Sequence, residues 1–439
     1  MTTAPIVIRL GRMLDVLEGE WRAERALVVD AQGRIEAIMA ADALGADALG
    51  ADALGSDALG ADALGSDTPT LDLRGLSVVP GLIDAHTHLA SELEAATVPG
   101  STTSAAEDAL IGVHHARLTL EAGFTSVREV GPFRAFVDCA LRDAIERGWT
   151  PGPRMQCAGA YVTMPGGGGS VAGLARDIEL PWDLRFGEVR DETEARVAVH
   201  RLLTGGADLI KVIATGAVLA AGTKPGAREL TAGQIRTVVE TAAEYGAFVA
   251  AHAHGAAGIV TAAESGVRSI EHGSLLDDRG IEAMLRHGTY LVADLYDGDW
   301  IAEEGLRAGW PAEVLRKNEE TTDAQRAGFR RAVDAGVRIA FGTDSGVYPH
   351  GRNAVQLAYY VAHGLSPLAT IRSATCWAAE LMGWSDRVGA LEPGRFADLV
   401  AVEGDPLEDV SLLERPSVVV KGGVVVRDER GAEPDRRGR

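Results

Sequence analysis

The sequence predicts an α/β fold: a (β/α)8 TIM barrel with a small β-sandwich domain assembled from both chain ends. Three observations carry this expectation. Short apolar runs alternate with longer amphipathic stretches after Leu71, strand-like segments near the start are matched by others beyond Ala390, and 439 residues exceed what one hydrophobic core usually holds.

Taken in order, Ile6 to Leu10 alternates apolar and polar, and Leu27 to Ile38 reads as strand, Gln32-Gly33 turn, strand. Repeats of ADALG or SDALG then fill Ala41 to Gly65. Their period matches neither helix nor strand, and it falls far short of the roughly 20 residues of a stackable repeat. The segment reads as a loop insertion without direct function. The barrel strands are expected at Val78 to His88, Ser126 to Val130, Met155 to Ala160 and Leu209 to Ala214. Four more follow at Phe248 to His252, Arg268 to His272, Tyr290 to Leu295 and Arg338 to Asp344. Helices such as Thr193 to Leu203 and Ala232 to Tyr245 lie between them, most ending near a glycine (Gly123, Gly148, Gly246, Gly266, Gly336). A doubly wound sheet would carry a Gly-rich phosphate fingerprint after its first strand, and none is present. Ala397 to Val402, Val418 to Val420 and Val424 to Val426 then return as strands. The expected domains are 1–75 and 386–439, forming the sandwich, and 76–385, forming the barrel.

Hydrophobic residues at 46% supply an ordinary core. With 42 Lys+Arg against 63 Asp+Glu, the net charge of −21 disfavours nucleic acid and anionic membrane as partners. A small-molecule substrate is expected, and a homo-oligomer stays open. Cys139, Cys157 and Cys376 lack CxxC spacing, so neither a disulfide framework nor a cysteine zinc cluster is indicated. The start lacks a basic region followed by an apolar one, and no uncharged apolar run reaches about 18 residues, so a cytoplasmic protein is expected.

Chemistry concentrates at strand ends. His86 and His88 are two apart and face the same way, at the C-terminal strand end where sites of this fold sit. The same position yields Lys211, His252, His272 and Asp344 on the fourth, fifth, sixth and eighth strands. Each alone has a packing explanation. Together they do not, because burying ionisable groups without partners costs several kcal/mol. His254 shares the face of His252, so either could ligate a metal, the other touching substrate. Asp84 shares the face of His86 and His88 and could orient an imidazole. Tyr161, Tyr296 and His350 follow strands three, seven and eight, where a substrate would meet the protein. Gly166 to Gly169 lacks the Lys-Ser/Thr ending of a phosphate loop, leaving an active-site flap or a plain linker. His114, His115, His200, His287 and His363 fall in or beside helical stretches and are assigned no role.

GLIDAHTH, the lysine of LIKVIATG, the histidines of AHAHG and IEHG, the aspartate of GTDSG and the later GRFADLVAVEGDP together resemble the metal-dependent amidohydrolase superfamily, binuclear class. The resemblance covers nearly the whole chain apart from the ADALG insertion. It implies His86, His88 and Asp344 as ligands of the more buried of two divalent ions, and His252 and His272 as ligands of the more exposed one. Lys211 is implied as the bridge, after carboxylation of its amine by carbon dioxide. A water between two ions becomes hydroxide near neutral pH, and Asp344 would act on it as general base and then as general acid. Zinc suits these ligands first, with manganese, cobalt or iron also compatible. KVIATGAVLAAGTKPGARELT and VAAHAHG are similar to a prolidase-like, Xaa-Arg or Xaa-Pro dipeptidase subgroup. That implies cleavage of an amide bond in a dipeptide or N-acyl amino acid by a metal-bridging hydroxide. Three alternatives stay open: a carbamate, urea or ochratoxin-type substrate, a mononuclear deaminase-like site without Lys211, and a catalytically inactive scaffold. The TGGH-type segment common in dipeptidase-like members has no histidine here.

Overall fold

The computed structural model describes residues 4–41, 68–90, 103–171, 174–175 and 177–430. Beyond Ala41, the ADALG insertion lies outside the described residues. Strands run in chain order as β1 Ile6–Asp15, β2 Glu20–Val29, β3 Ile35–Ala40, β4 Thr70–Pro80, β5 Leu82–Thr87, β6 Phe124–Glu129, β7 Arg154–Cys157 and β8 Tyr161–Val162. They continue as β9 Ile210–Ile213, β10 Val249–Gly255, β11 Ser269–Leu275, β12 Tyr290–Val292, β13 Leu399–Val402, β14 Val418–Lys421 and β15 Val424–Asp428. The helices are α1 Ala105–Glu121, α2 Val137–Glu146, α3 Glu192–Thr204, α4 Ala232–Glu244, α5 Ala256–Glu264 and α6 Asp278–His287. After these come α7 Asp297–Ala308, α8 Ala312–Ala335, α9 Val355–Ala362, α10 Pro367–Ser373 and α11 Cys376–Met382. Among the described residues, no helix is long and apolar enough to cross a membrane.

Two compact units divide the chain. The first comprises Met1–Ile83, Thr119–Ser126 and Pro367–Arg439. Its sheet has seven strands in the order β15-β14-β13-β4-β1-β2-β3. β1 and β2 form an antiparallel hairpin, β4 adds parallel to β1, and β13 pairs antiparallel with β4 through Val400 opposite Val79. Both chain ends therefore contribute to one hydrogen-bonded series of strands. The reason lies in β4, whose two edges carry one strand from each end. Alternate residues such as Ile8, Leu10, Leu27, Val29, Leu399, Ala401, Val418 and Val420 meet in a single buried cluster, as the period of two in a strand requires.

The second unit comprises Asp84–Leu118 and Val127–Ser366. Five strands follow the order β12-β11-β10-β9-β8, all their pairings being parallel, and a further sheet has the order β5-β6-β7. Helices separate successive parallel strands, since a parallel crossover needs them. A capping box at Thr231 and Gln234 starts α4, and Gly336 in a left-handed turn ends α8. Three expected strands differ most from what the structure contains: Met155 to Ala160 stops at Cys157, with β8 following in the other sheet, and two more depart as follows. Val78 to His88 is split at Gly81 between β4 and β5. Arg338 to Asp344 forms no regular strand. It is tied to β12 by Ala340 N–H to the Leu291 carbonyl and to β5 by Ala85 N–H to the Phe341 carbonyl. The left-handed backbone of Asp344, φ 56, interrupts any longer ladder.

Candidate metal centre and active site

Register builds the site. Lys211 on β9 lies opposite Ala250 on β10 and Tyr161 on β8; two residues along, His252 lies opposite Ile213 and Glu271. Register partners share a face and side chains alternate along a strand, so Lys211, His252 and Glu271 point the same way. Alternation alone would send His272 to the opposite face. Its backbone is instead left-handed, φ 68, beside a register shift on β10 between Ala253 and Gly255. The His272 imidazole consequently reaches the same cavity, its ring 4.5 Å from that of His252. Together with Asp344, two non-glycine residues hold a backbone conformation that costs of order 1–3 kcal/mol, a concentration typical of functional sites.

His86, His88, Lys211, His252, His254, His272 and Asp344 all line one cavity of about 270 Å³. His86 Nε2 and His88 Nε2 stand 3.4 and 3.1 Å from Asp344 Oδ1. The donor atoms of these three residues lie within 4.8 Å of one another, and so do those of His252, His254 and His272. His86 Nε2 and Asp344 Oδ1 are buried without a hydrogen-bond partner, a condition native proteins rarely leave uncompensated. A cation satisfies both. The residues present therefore fit a metal.

The opposite ring nitrogens are fixed. His86 Nδ1 donates to Glu271 Oε2, His88 Nδ1 to the Gly131 carbonyl and His272 Nδ1 to Asp294 Oδ2, each at 2.9 Å. Nε2 is the atom each of these rings turns toward the cavity, and each ring is oriented from behind. Glu271 is in turn held by the buried Arg128 guanidinium at 2.8 Å, and Asp294 by Gln325 Nε2 at 2.7 Å. Burial pushes His252 well down and His254 down to about 3, with neighbouring imidazoles adding to the effect. Both are neutral, the form that ligates. Burial would raise the Asp344 carboxyl, but His86 and His88 outweigh it and hold it well below the usual range. Burial also brings the Lys211 amine down to about 8 against the pull of Glu271 and Asp344. Among the described residues, nothing hydrogen-bonds or ion-pairs with Lys211 Nζ, although the residue is only 2% exposed.

Of the residues expected to touch substrate, Tyr161 and His254 line the cavity, while Tyr296 and His350 do not. The Tyr296 ring packs 5.0 Å from Tyr348, and the Arg352 guanidinium lies 5.6 Å from its centroid. His350 stacks on His115 at 4.3 Å and shares its Nε2 with the His88 carbonyl at 3.2 Å, buttressing a candidate ligand from outside the cavity. Asp84 does not orient an imidazole either. It accepts from the backbone N–H of His86 and from Thr343 and Asn353, leaving the imidazole to Glu271. Gly168 and Gly169 of the glycine-rich loop line the cavity, and Gly168 N–H donates to Glu229 at 2.8 Å. Sequence reasoning missed Glu271, Arg128, Asp294 and Gln325. Only the two acids carried a signal, as lone charges inside apolar strand-like runs.

Residues 77–426 match the amidohydrolase family. The chain belongs to that family. This amidohydrolase is 30% identical over 375 residues to ochratoxinase of Aspergillus niger, spanning 79% of this chain and 75% of the relative. Among solved structures it resembles a Xaa-Pro dipeptidase with methionine bound in the active site, at TM-score 0.83 and 32% identity over 96% of this chain and 99% of the other. It also resembles a prolidase complexed with N-methylphosphonate-L-proline, at TM-score 0.83 and 28% identity over 97% of this chain and 100% of the other. The protein is accordingly a hydrolytic enzyme acting on carbon–nitrogen bonds, in a family that generally depends on metal.

Proposed function

We propose that this enzyme hydrolyses the amide bond of a dipeptide or N-acyl amino acid at a site for two divalent ions, with zinc the first choice. The observation that carries this reading is the pair of histidine-containing donor groups sharing one cavity with a buried, unpaired Lys211. His86, His88 and Asp344 would hold one ion. His252 and His272 would hold the other, with His254 left beside it for substrate. When bound, the ions lower the pKa of a coordinated water and polarise a carbonyl oxygen. Lys211 would bridge as a carbamate: its neutral amine adds to carbon dioxide and releases a proton, turning an unpaired cation into an anion with two ligating oxygens. An amine near 8 has neutral form available for that step. Asp344 takes the proton of the attacking water and passes one to the departing nitrogen. We take the parallel strands β5 to β12, with the 338–345 segment between β12 and β5, as a closed barrel, and 76–385 as its extent.

Two solved relatives support a small amino-acid substrate: one binds methionine in its active site and the other is complexed with a phosphonate derivative of proline. The test is release of free amino acid from a panel of dipeptides and N-acyl amino acids by the zinc-loaded enzyme. Hydrolysis abolished by chelation and restored by metal is expected. Silence across the panel, with turnover of carbamates or ureas, overturns the proposal. Lys211→Ala is expected to lose both bound metal and activity; retained activity at full metal content would eliminate the carbamate bridge.

A further inference from the structure

The cavity has a wall that the candidate metal ligands do not use. It is formed where α7 begins and α8 passes, by Asp297, Asn318, Thr321 and Thr322. Asp297 is 6% exposed, and its Oδ1 has no hydrogen-bond partner. The two threonines beside it have already given away their protons, Thr321 to the Lys317 carbonyl and Thr322 to the Asn318 carbonyl, both at 2.8 Å. The Asn318 amide likewise donates to the Gly298 carbonyl at 2.8 Å. A hydroxyl owns one donor, so what these threonines offer the cavity is lone pairs. The threonines therefore face the cavity as acceptors, beside the unpartnered Asp297 Oδ1. Among the described residues lining the cavity, the only lysine or arginine is Lys211.

Burial, with the carboxylates of Asp344 and Asp294 nearby, pushes the Asp297 carboxyl well above the usual range, as expected of an acid enclosed without a counter-charge. Leaving a buried acceptor unsatisfied is costly, and a charge more so. One chemistry meets every one of these demands: a positively charged group bearing several N–H donors. We propose that Asp297, with Thr321 and Thr322, is the subsite for a cationic group of the substrate, an ammonium or a guanidinium. This deepens the amide-hydrolase reading and rests on it. Asp297 sets specificity and takes no part in bond cleavage.

Two sources of the cation are possible in a dipeptide, the α-ammonium and a basic side chain, and substrate pairs separate them. The zinc-loaded enzyme is assayed on methionyl dipeptides with and without N-acetylation, and on N-acetyl dipeptides carrying lysine or norleucine. A cation preference of at least about tenfold in kcat/KM is expected in one pair, the scale of one charged hydrogen bond. It should collapse in Asp297→Asn, with the change in KM. Equal turnover within both pairs, or a preference that survives in Asp297→Asn, overturns the subsite while leaving amide hydrolysis standing. A second readout needs no turnover: calorimetric binding of n-butylguanidinium to the holoenzyme, with n-butanol as neutral control. Binding by wild type and its loss in Asp297→Asn support the subsite, and no binding by wild type overturns it. Should Asp297→Asn fail to fold, Thr321→Val removes one acceptor and is expected to weaken n-butylguanidinium several-fold; unchanged affinity counts against the wall.

Discussion

Glu271→Gln is the sharpest single test of how the site is held. The carboxylate is fully buried and accepts from His86 Nδ1 at 2.9 Å and from Arg128 Nη2 at 2.8 and 3.0 Å. Burial would raise its pKa, but Arg128 and His86 hold it far below the usual carboxylate range, so it is charged. Glutamine keeps the shape, supplies one acceptor oxygen where two were in use, and leaves Arg128 without its counter-charge. At a charge separation of about 4 Å and an effective dielectric of about 20 the lost attraction is about 4 kcal/mol, in line with the roughly 3–5 kcal/mol lost on breaking buried pairs. Allowing for the oxygen that remains, about 3 kcal/mol is expected, or a fall of roughly 6–12 °C in Tm for a unit of this size. His86 should also lose its orientation, weakening metal binding by about 10–100-fold. Thermal unfolding of the metal-free protein gives the first quantity, and competition with a chromogenic chelator gives the second. Unchanged Tm and unchanged metal affinity together would refute the claim that Glu271 orients His86 and neutralises Arg128.

Two further outcomes are expected. Gly346 has φ 119, and a Cβ there would meet the Cβ and carbonyl oxygen of His88 at 2.9 Å; Gly346→Ala should cost at least about 1–3 kcal/mol and lower the bound metal measured by atomic emission. Asp138 on α2 is buried, accepts from the N–H groups of Cys139 and Gly159, and has a carboxyl raised by burial from 3.8 to about 6. The folded state then holds a proton the unfolded state has lost, so stability falls as pH rises from about 4 to about 6, by about 3 kcal/mol for two units. Asp138→Asn should flatten that slope in urea midpoints taken across this range, and an unaltered slope would show that Asp138 is not its source.

The fold was legible where chemistry and periodicity coincided. Lys211 interrupts an apolar run and His252 and Asp344 end theirs, and an ionisable group in such a place is hard to explain by packing. The same reading placed His272 at the site for its position and passed over Glu271, although strict alternation puts Glu271 with His252. The conflict resolves only in the backbone, where a left-handed φ turns His272 inward so that two consecutive residues serve one cavity. No window of sequence shows that. Arg128, 143 positions from Glu271, and Gln325, 31 positions from Asp294, are joined to them only by the folded chain. His350 was misjudged because a histidine after the last strand points to substrate only if its loop turns inward, and this one reaches back to the carbonyl of His88.

The pairing of Val79 with Val400 sets a delay in the birth of the molecule. At roughly 5–20 residues per second on the ribosome, β4 emerges some tens of seconds before β13 exists. During that interval its outer edge offers unpaired N–H and C=O groups to any extended peptide nearby. Until Leu399–Val402 is made, that edge is open to mispairing, and a chain stopped just before β13 would keep it open.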